Sequence, residues 1–191
     1  MDRNNIITLP SPNLRRRSKK VGFLSDDIRQ LISDMESATL DWEDSRPHEV
    51  GVALAAVQVD SLLRVVVVRN NFDDKSDRSF YVLINPEITK YDGKQVADYE
   101  GCLSIKEVYG LIKRYEKVRV KALDINGKPI RITAKGFLAR ILQHEIDHTN
   151  GIVFIDHIKD DKNAFYKLDT SGDLKPLEYE SEILDNPDLW G

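Results

Sequence analysis

The sequence predicts an α+β fold in one domain, with strands first and a buried helix packed against them. Two observations carry this. Short runs of β-branched and aromatic residues, L-L-R-V-V-V-V-R and F-Y-V-L-I, fill the first half of the chain. Near residue 140, K-G-F-L-A-R-I-L-Q-H-E-I-D-H-T-N-G has helical length and period. A length of 191 residues fits one domain with one core, and we assign residues 1–191 to it.

The elements follow in order. N-I-I-T-L-P-S-P-N-L reads as extended or turn-rich, because Pro10 and Pro12 forbid a long helix. The run R-R-R-S-K-K, Arg15 to Lys20, is either a nucleic-acid patch or a solvated loop, the usual explanation of such runs. Ser25 then caps a helix with acids in its first turn. Ile28, Leu31, Ile32 and Met35 fall on its inner face. D-W-E-D-S-R-P-H-E-V, Asp41 to Val50, breaks the period and reads as a surface loop. After the two strand runs, Val118, Val120 and Ala122 alternate with charged residues, as do Ile130 and Ile132. Asn126-Gly127 between these arms predicts a tight hairpin turn. Gly151 stops the late helix. The tail from Asp173 to Gly191 is acidic and leaves two readings open: partial disorder, or a short helix ended by Pro187.

Composition narrows the function classes. The chain is 41% hydrophobic and 31% charged, a soluble globular profile, and its net charge of −4 offers no general attraction for nucleic acid. No stretch approaches the roughly 20 apolar residues that cross a bilayer, and Met1 is followed by D-R-N-N rather than an apolar leader. A single cysteine, Cys102, cannot form an internal disulfide, so a reducing, cytoplasmic setting is expected.

The chemistry concentrates in Q-H-E-I-D-H, Gln143 to His148. On a helix, residues four apart share a face, so His144 and His148 can grip one ion. Glu145 lies about 100° round the axis, where a general base for an attacking water belongs. A catalytic site of this type needs a third protein ligand. His157 is available downstream, as in a metalloprotease, but it would have to turn back around Gly151. Cys102, beside a glycine in E-G-C-L-S, is the better candidate, and its thiolate suits Zn(II) or Fe(II). G-V-A-L-A-A-V-Q, Gly51 to Gln58, is rich in small residues and ends on an amide that can donate to an oxygen gaining charge.

Taken in order, G-V-A-L-A-A-V-Q, E-G-C-L-S and Q-H-E-I-D-H resemble the motifs of peptide deformylase, over roughly residues 5 to 160. Leu14-Arg15 and Ile84-Asn85-Pro86 resemble family sequence as well. The resemblance implies antiparallel and mixed β-sheets packed around a buried metal-binding helix. It implies hydrolysis of the N-formyl group from the N-terminal methionine of new polypeptides emerging from the ribosome, releasing formate. Cys102, His144 and His148 would bind one divalent ion: Fe2+ in the cell, with Zn2+, Ni2+ or Co2+ able to substitute. Glu145 would move the proton, and Gln58 and the Leu103 N–H would hold the oxyanion. Glu100, paired with Arg114, would support the ligands from outside. Val52, Ala53, Leu103, Phe137 and Ile141 would form the methionine pocket. No specific nucleic-acid site and no membrane contact are expected. A non-catalytic relative binding metal and peptide N-termini is the alternative. Three departures bear on substrate preference: Ala53 replaces the motif's second glycine, Lys106 a proline, and Tyr109 an arginine common in bacterial members.

Overall fold

A computed structural model of the chain describes residues 1–46 and 49–190. Seven strands form one sheet: β1 Ala53–Ala55, β2 Val65–Arg69, β3 Phe80–Cys102, β4 Ile105–Leu123, β5 Pro129–Lys135, β6 Phe165–Leu168 and β7 Leu174–Pro176. The order is β1-β2-β3-β4-β6-β7, with β5 also on β4. Every strand pairing is antiparallel, and one isolated parallel bridge joins Lys19 to Leu63. Helices α1 Asp26–Asp44, α2 Gly136–Thr149 and the short α3 Pro187–Trp190 complete the α+β fold.

Strand β2 explains how the sheet meets both long helices. Successive side chains of a strand point to opposite faces. Val66 and Val68 pack with Ala139, Leu142 and Ile146 of α2. Val65 and Val67 pack with Ile32, Met35 and Ala38 of α1. All four valines are fully buried, so V-V-V-V reads as an unbroken apolar run rather than an alternating one.

Three elements depart from expectation. Helix α1 runs on to Asp44, so the loop expected from Asp41 begins later. Trp42 continues the buried stripe, and Glu43, 4% exposed, pairs with the fully buried Arg69 at 2.8 Å. Acids that look like loop are tolerated because this one has an internal partner. Pro47 and His48 of the expected loop, and Gly191 of the tail, lie outside the described residues. Second, β3 and β4 form a ribbon reaching from Phe80 to Leu123, far beyond F-Y-V-L-I. From Lys90 to Tyr99 its first strand is exposed apart from the half-buried Asp92, so it lacks the apolar signal of a core strand. Third, the β4–β5 turn spans Asp124 to Lys128 rather than two residues. Gly127 N–H donates to Asp124 O, and Gly127 alone takes positive φ, 75°, while the Asp124 side chain accepts from the N–H groups of Asn126 and Lys128.

The tail packs. Ile183 and Leu189, 1% and 4% exposed, join Leu14, Ile112, Phe154 and Phe165 in a third apolar cluster. Pro187 opens α3 rather than ending a helix, as suits a residue with fixed φ and no N–H to lose. No described helix is long and apolar enough to cross a membrane.

Candidate metal centre

Helix α2 supplies two of the three donors. His144 and His148 sit one turn apart, 8% and 0% exposed, with their Nε2 atoms 3.2 Å from each other. Gly151, at φ 78°, ends the helix behind them. Its N–H bonds to His148 O, and the N–H of Ile152 to Asp147 O, the paired closure of a left-handed cap.

The third donor comes from the end of β3. Cys102 precedes a two-residue turn, Leu103-Ser104, and its Sγ lies 3.3 Å from His148 Nε2. The donor atoms of Cys102, His144 and His148 all fall within 4.8 Å of one another. His157, the other downstream candidate, is not part of this group. Its Nε2 lies 2.7 Å from Asp147 Oδ2 and 3.3 Å from Arg114 Nη1.

The donor set fits a divalent ion. Two nitrogens held tetrahedrally at the usual bond lengths stand about 3.3 Å apart, and a nitrogen and a thiolate about 3.5 Å. The observed 3.2 and 3.3 Å match these separations. The proton arrangement fits too. His144 Nδ1 faces Glu100 Oε2 at 3.0 Å, which places its hydrogen there and leaves a lone pair on Nε2. Burial drives His148 well below its ordinary value, toward the neutral form that can bind a metal. One soft thiolate and two imidazoles suit Zn(II) or Fe(II).

Glu145 lies beside this centre, 5% exposed, and its Oε2 has no hydrogen-bond partner among the described residues. Burial pushes its carboxyl up to about 7. A carboxyl free of structural bonds, poised near neutrality, can take and return a proton.

Gln58 is not on a strand but in the 3-10 turn Ala56–Val59 that follows β1. Its Oε1 accepts from Ala55 N–H at 2.9 Å, which orients the amide. Its Nε2 therefore points at the hairpin tip, 3.1 Å from Ser104 Oγ and 3.5 Å from Cys102 Sγ.

Glu100 and Arg114 pair as expected, at 3.0 and 3.1 Å. Sequence reasoning did not find two further partners. Arg140 Nη1 donates to Glu100 Oε1 at 2.7 Å, and Asp147 Oδ2 accepts from Arg114 Nη1 at 2.5 Å. The helical period itself held the clue, since Arg140 lies four residues before His144 and so on its face. Burial pushes the Glu100 carboxyl up, but the bonds from His144 and Arg114 outweigh it and hold the group well below the usual carboxylate range.

These groups open onto a cleft of about 710 Å3. Val52, Ala53, Leu103, Phe137 and Ile141 all line it, as do Gln58, Cys102, His144 and Glu145. Ala53 and Ile141 are buried, whereas Phe137 is 49% exposed and meets Phe72 edge-on at 5.1 Å. Tyr109 lines the same cleft, donating to Glu49 Oε2 at 2.5 Å.

Known proteins share this arrangement of sequence and fold. A family model described as polypeptide deformylase matches residues 3–164. The peptide deformylase of Desulfosudis oleivorans is 40% identical over 177 residues, 93% of this chain and 98% of the relative. That of Desulfotalea psychrophila is 38% identical over 162 residues, 85% of this chain and 91% of the relative. Among solved structures, a peptide deformylase from Legionella pneumophila is 42% identical with a TM-score of 0.70, covering 80% of this chain and 83% of its own. One from Synechococcus elongatus in complex with actinonin is 36% identical with a TM-score of 0.74, covering 82% and 80%.

Proposed function

The chain belongs to the polypeptide deformylase family, and from that premise we propose that it hydrolyses the formyl group from N-formylmethionyl peptides as they emerge from the ribosome. Cys102, His144 and His148 would hold one divalent ion, Fe2+ in the cell, with Zn2+, Ni2+ or Co2+ able to replace it. When bound, the ion supplies a Lewis acid that polarises the formyl carbonyl and acidifies water.

The chain's own residues do the rest. Glu145 accepts a proton from the attacking water as the new C–O bond forms. It delivers that proton to the amine as the C–N bond breaks, so formate and a free N-terminus leave. Gln58 Nε2 and the Leu103 N–H donate to the oxygen that gains negative charge. Val52, Ala53, Leu103, Phe137 and Ile141 receive the methionine side chain. Glu100 and Arg114 orient His144. We count the chain as one domain and place its work in the cytoplasm.

The observation that carries this reading is the convergence of one sulfur and two imidazoles within 4.8 Å, with the unpartnered carboxylate of Glu145 beside them. The test is release of formate from formyl-Met-Ala-Ser by anaerobically prepared iron- or cobalt-loaded protein. Turnover well above that of Glu145→Ala is expected. Formate no higher than that background ends the enzymatic reading, and elemental analysis of protein purified without added metal names the native ion.

A further inference from the structure

The sulfur and the imidazoles belong to different elements, so something must fix the gap between them. The ribbon that bears Cys102 is exposed over much of its length; Gln143 ties it to α2 at Tyr115 N–H and O, and Asp147 at Arg114. Arg140, one helical turn before His144, is 7% exposed and spends its guanidinium entirely on that ribbon. Its Nη1 donates to Glu100 Oε1 at 2.7 Å, Ile112 O at 2.9 Å and Asp98 O at 3.4 Å, and its Nη2 to Val96 O at 2.7 Å. One helix side chain thus holds both strands of the ribbon, two to six residues before the sulfur on β3. It also grips the carboxylate that faces His144 Nδ1.

Charge alone does not account for this residue. Arg114 already binds Glu100 through two bonds and also pairs with Asp147, so Glu100 has a cationic partner without Arg140. What sets Arg140 apart is its planar fork, which reaches three carbonyls and a carboxylate at once. A lysine ammonium cannot reproduce that.

We propose that Arg140 is a positioning residue of the metal centre, fastening the cysteine-bearing ribbon to the histidine-bearing helix at the spacing the ion requires. It touches no ligand atom and acts through Glu100 and the ribbon backbone. The inference rests on the metal-centre reading above. Loss of an outer partner of this kind weakens metal binding about 10- to 100-fold.

The test uses Co(II) alone, titrated anaerobically against a competing chelator, with the visible spectrum reporting the coordination geometry. Arg140→Met and Arg140→Lys are both expected to bind Co(II) at least about tenfold more weakly, with altered spectra, while folded without metal at the assay temperature. Ile32→Ala, destabilised on the α1 side of the sheet, should keep the parent's affinity and spectrum. The proposal is overturned if either arginine variant binds within about twofold of the parent, if Arg140→Lys restores full affinity, or if Ile32→Ala loses as much. Failure of both arginine variants to fold also overturns it, since Arg140 would then serve folding rather than the ion. A parent that binds no Co(II) removes the metal-centre reading and this inference together.

Discussion

Glu145 and Glu100 are two buried carboxylates that the protein treats in opposite ways. Glu145 has an oxygen without a partner, and burial lifts it to about 7. Glu145→Gln keeps the shape and removes the base, so kcat should fall about 10²–10⁴-fold while metal content, read by elemental analysis, stays at the parent level. Only the ionised form accepts a proton, so kcat/KM should decline as pH drops through this group's pKa. A bound cation lowers that pKa again, and the acid limb is expected below pH 7. Glu100 is fully engaged and held below the usual carboxylate range despite its burial. A depressed carboxylate contributes stability that is present above the ordinary range and is lost as pH falls through the folded value. Glu100→Gln should therefore cost about 3–5 kcal/mol near pH 7, by leaving buried arginine charge unpaired. In thermal melts of metal-free protein, the gap between parent and variant should begin to narrow once pH falls below the ordinary carboxylate range, and go on narrowing as pH falls further. Parallel curves would show that Glu100 is not the titrating group.

Helix α2 and the ribbon were legible to very different degrees. The ends of α2 follow from local rules, with Gly151 taking a conformation that side chains resist. A Cβ there would also meet Arg15 O at 2.6 Å. Gly151→Ala should cost about 1–3 kcal/mol in urea unfolding, and an unchanged midpoint would refute the assignment of strain. The periodicity that reveals α2 places Arg140 on the His144 face but does not name the partners it meets there. Arg140 reads as the polar side of an amphipathic helix, yet the ribbon covers it. The ribbon's own exposed sequence, K-Y-D-G-K-Q-V-A-D-Y, carries no buried face to detect. Its strand character comes from backbone pairing with β4, through registers such as Val96 with Arg114 and Asp98 with Ile112.

For the molecule as a whole, three apolar clusters share one sheet, and the C-terminal tail belongs to the third. Trp190 Nε1 donates to Ile183 O at 2.7 Å, and Arg15 reaches both Asp156 and Leu189 O. The acidic composition of the tail concealed this, because Ile183-Leu184 and Leu189-Trp190 are only short apolar pairs set among acids. Ile183→Ala should destabilise the protein by about 2–5 kcal/mol, measured by urea denaturation. A change below about 0.5 kcal/mol, the usual range for a surface site, would mean that the tail does not pack on the core in solution.

Spacing along the chain was enough to pair His144 with His148, to set Glu145 off their axis and to stop the helix at Gly151, since each depends on neighbours within two turns. The resemblance of three ordered motifs named the third ligand as well. What only folding in three dimensions decided is how Cys102 reaches the imidazoles, and which groups hold Glu100 against His144. The Cys102–His148 and Glu100–His144 contacts join residues 46 and 44 positions apart through strand register and burial. No local window of sequence encodes them, because their energy exists only once both elements are in place.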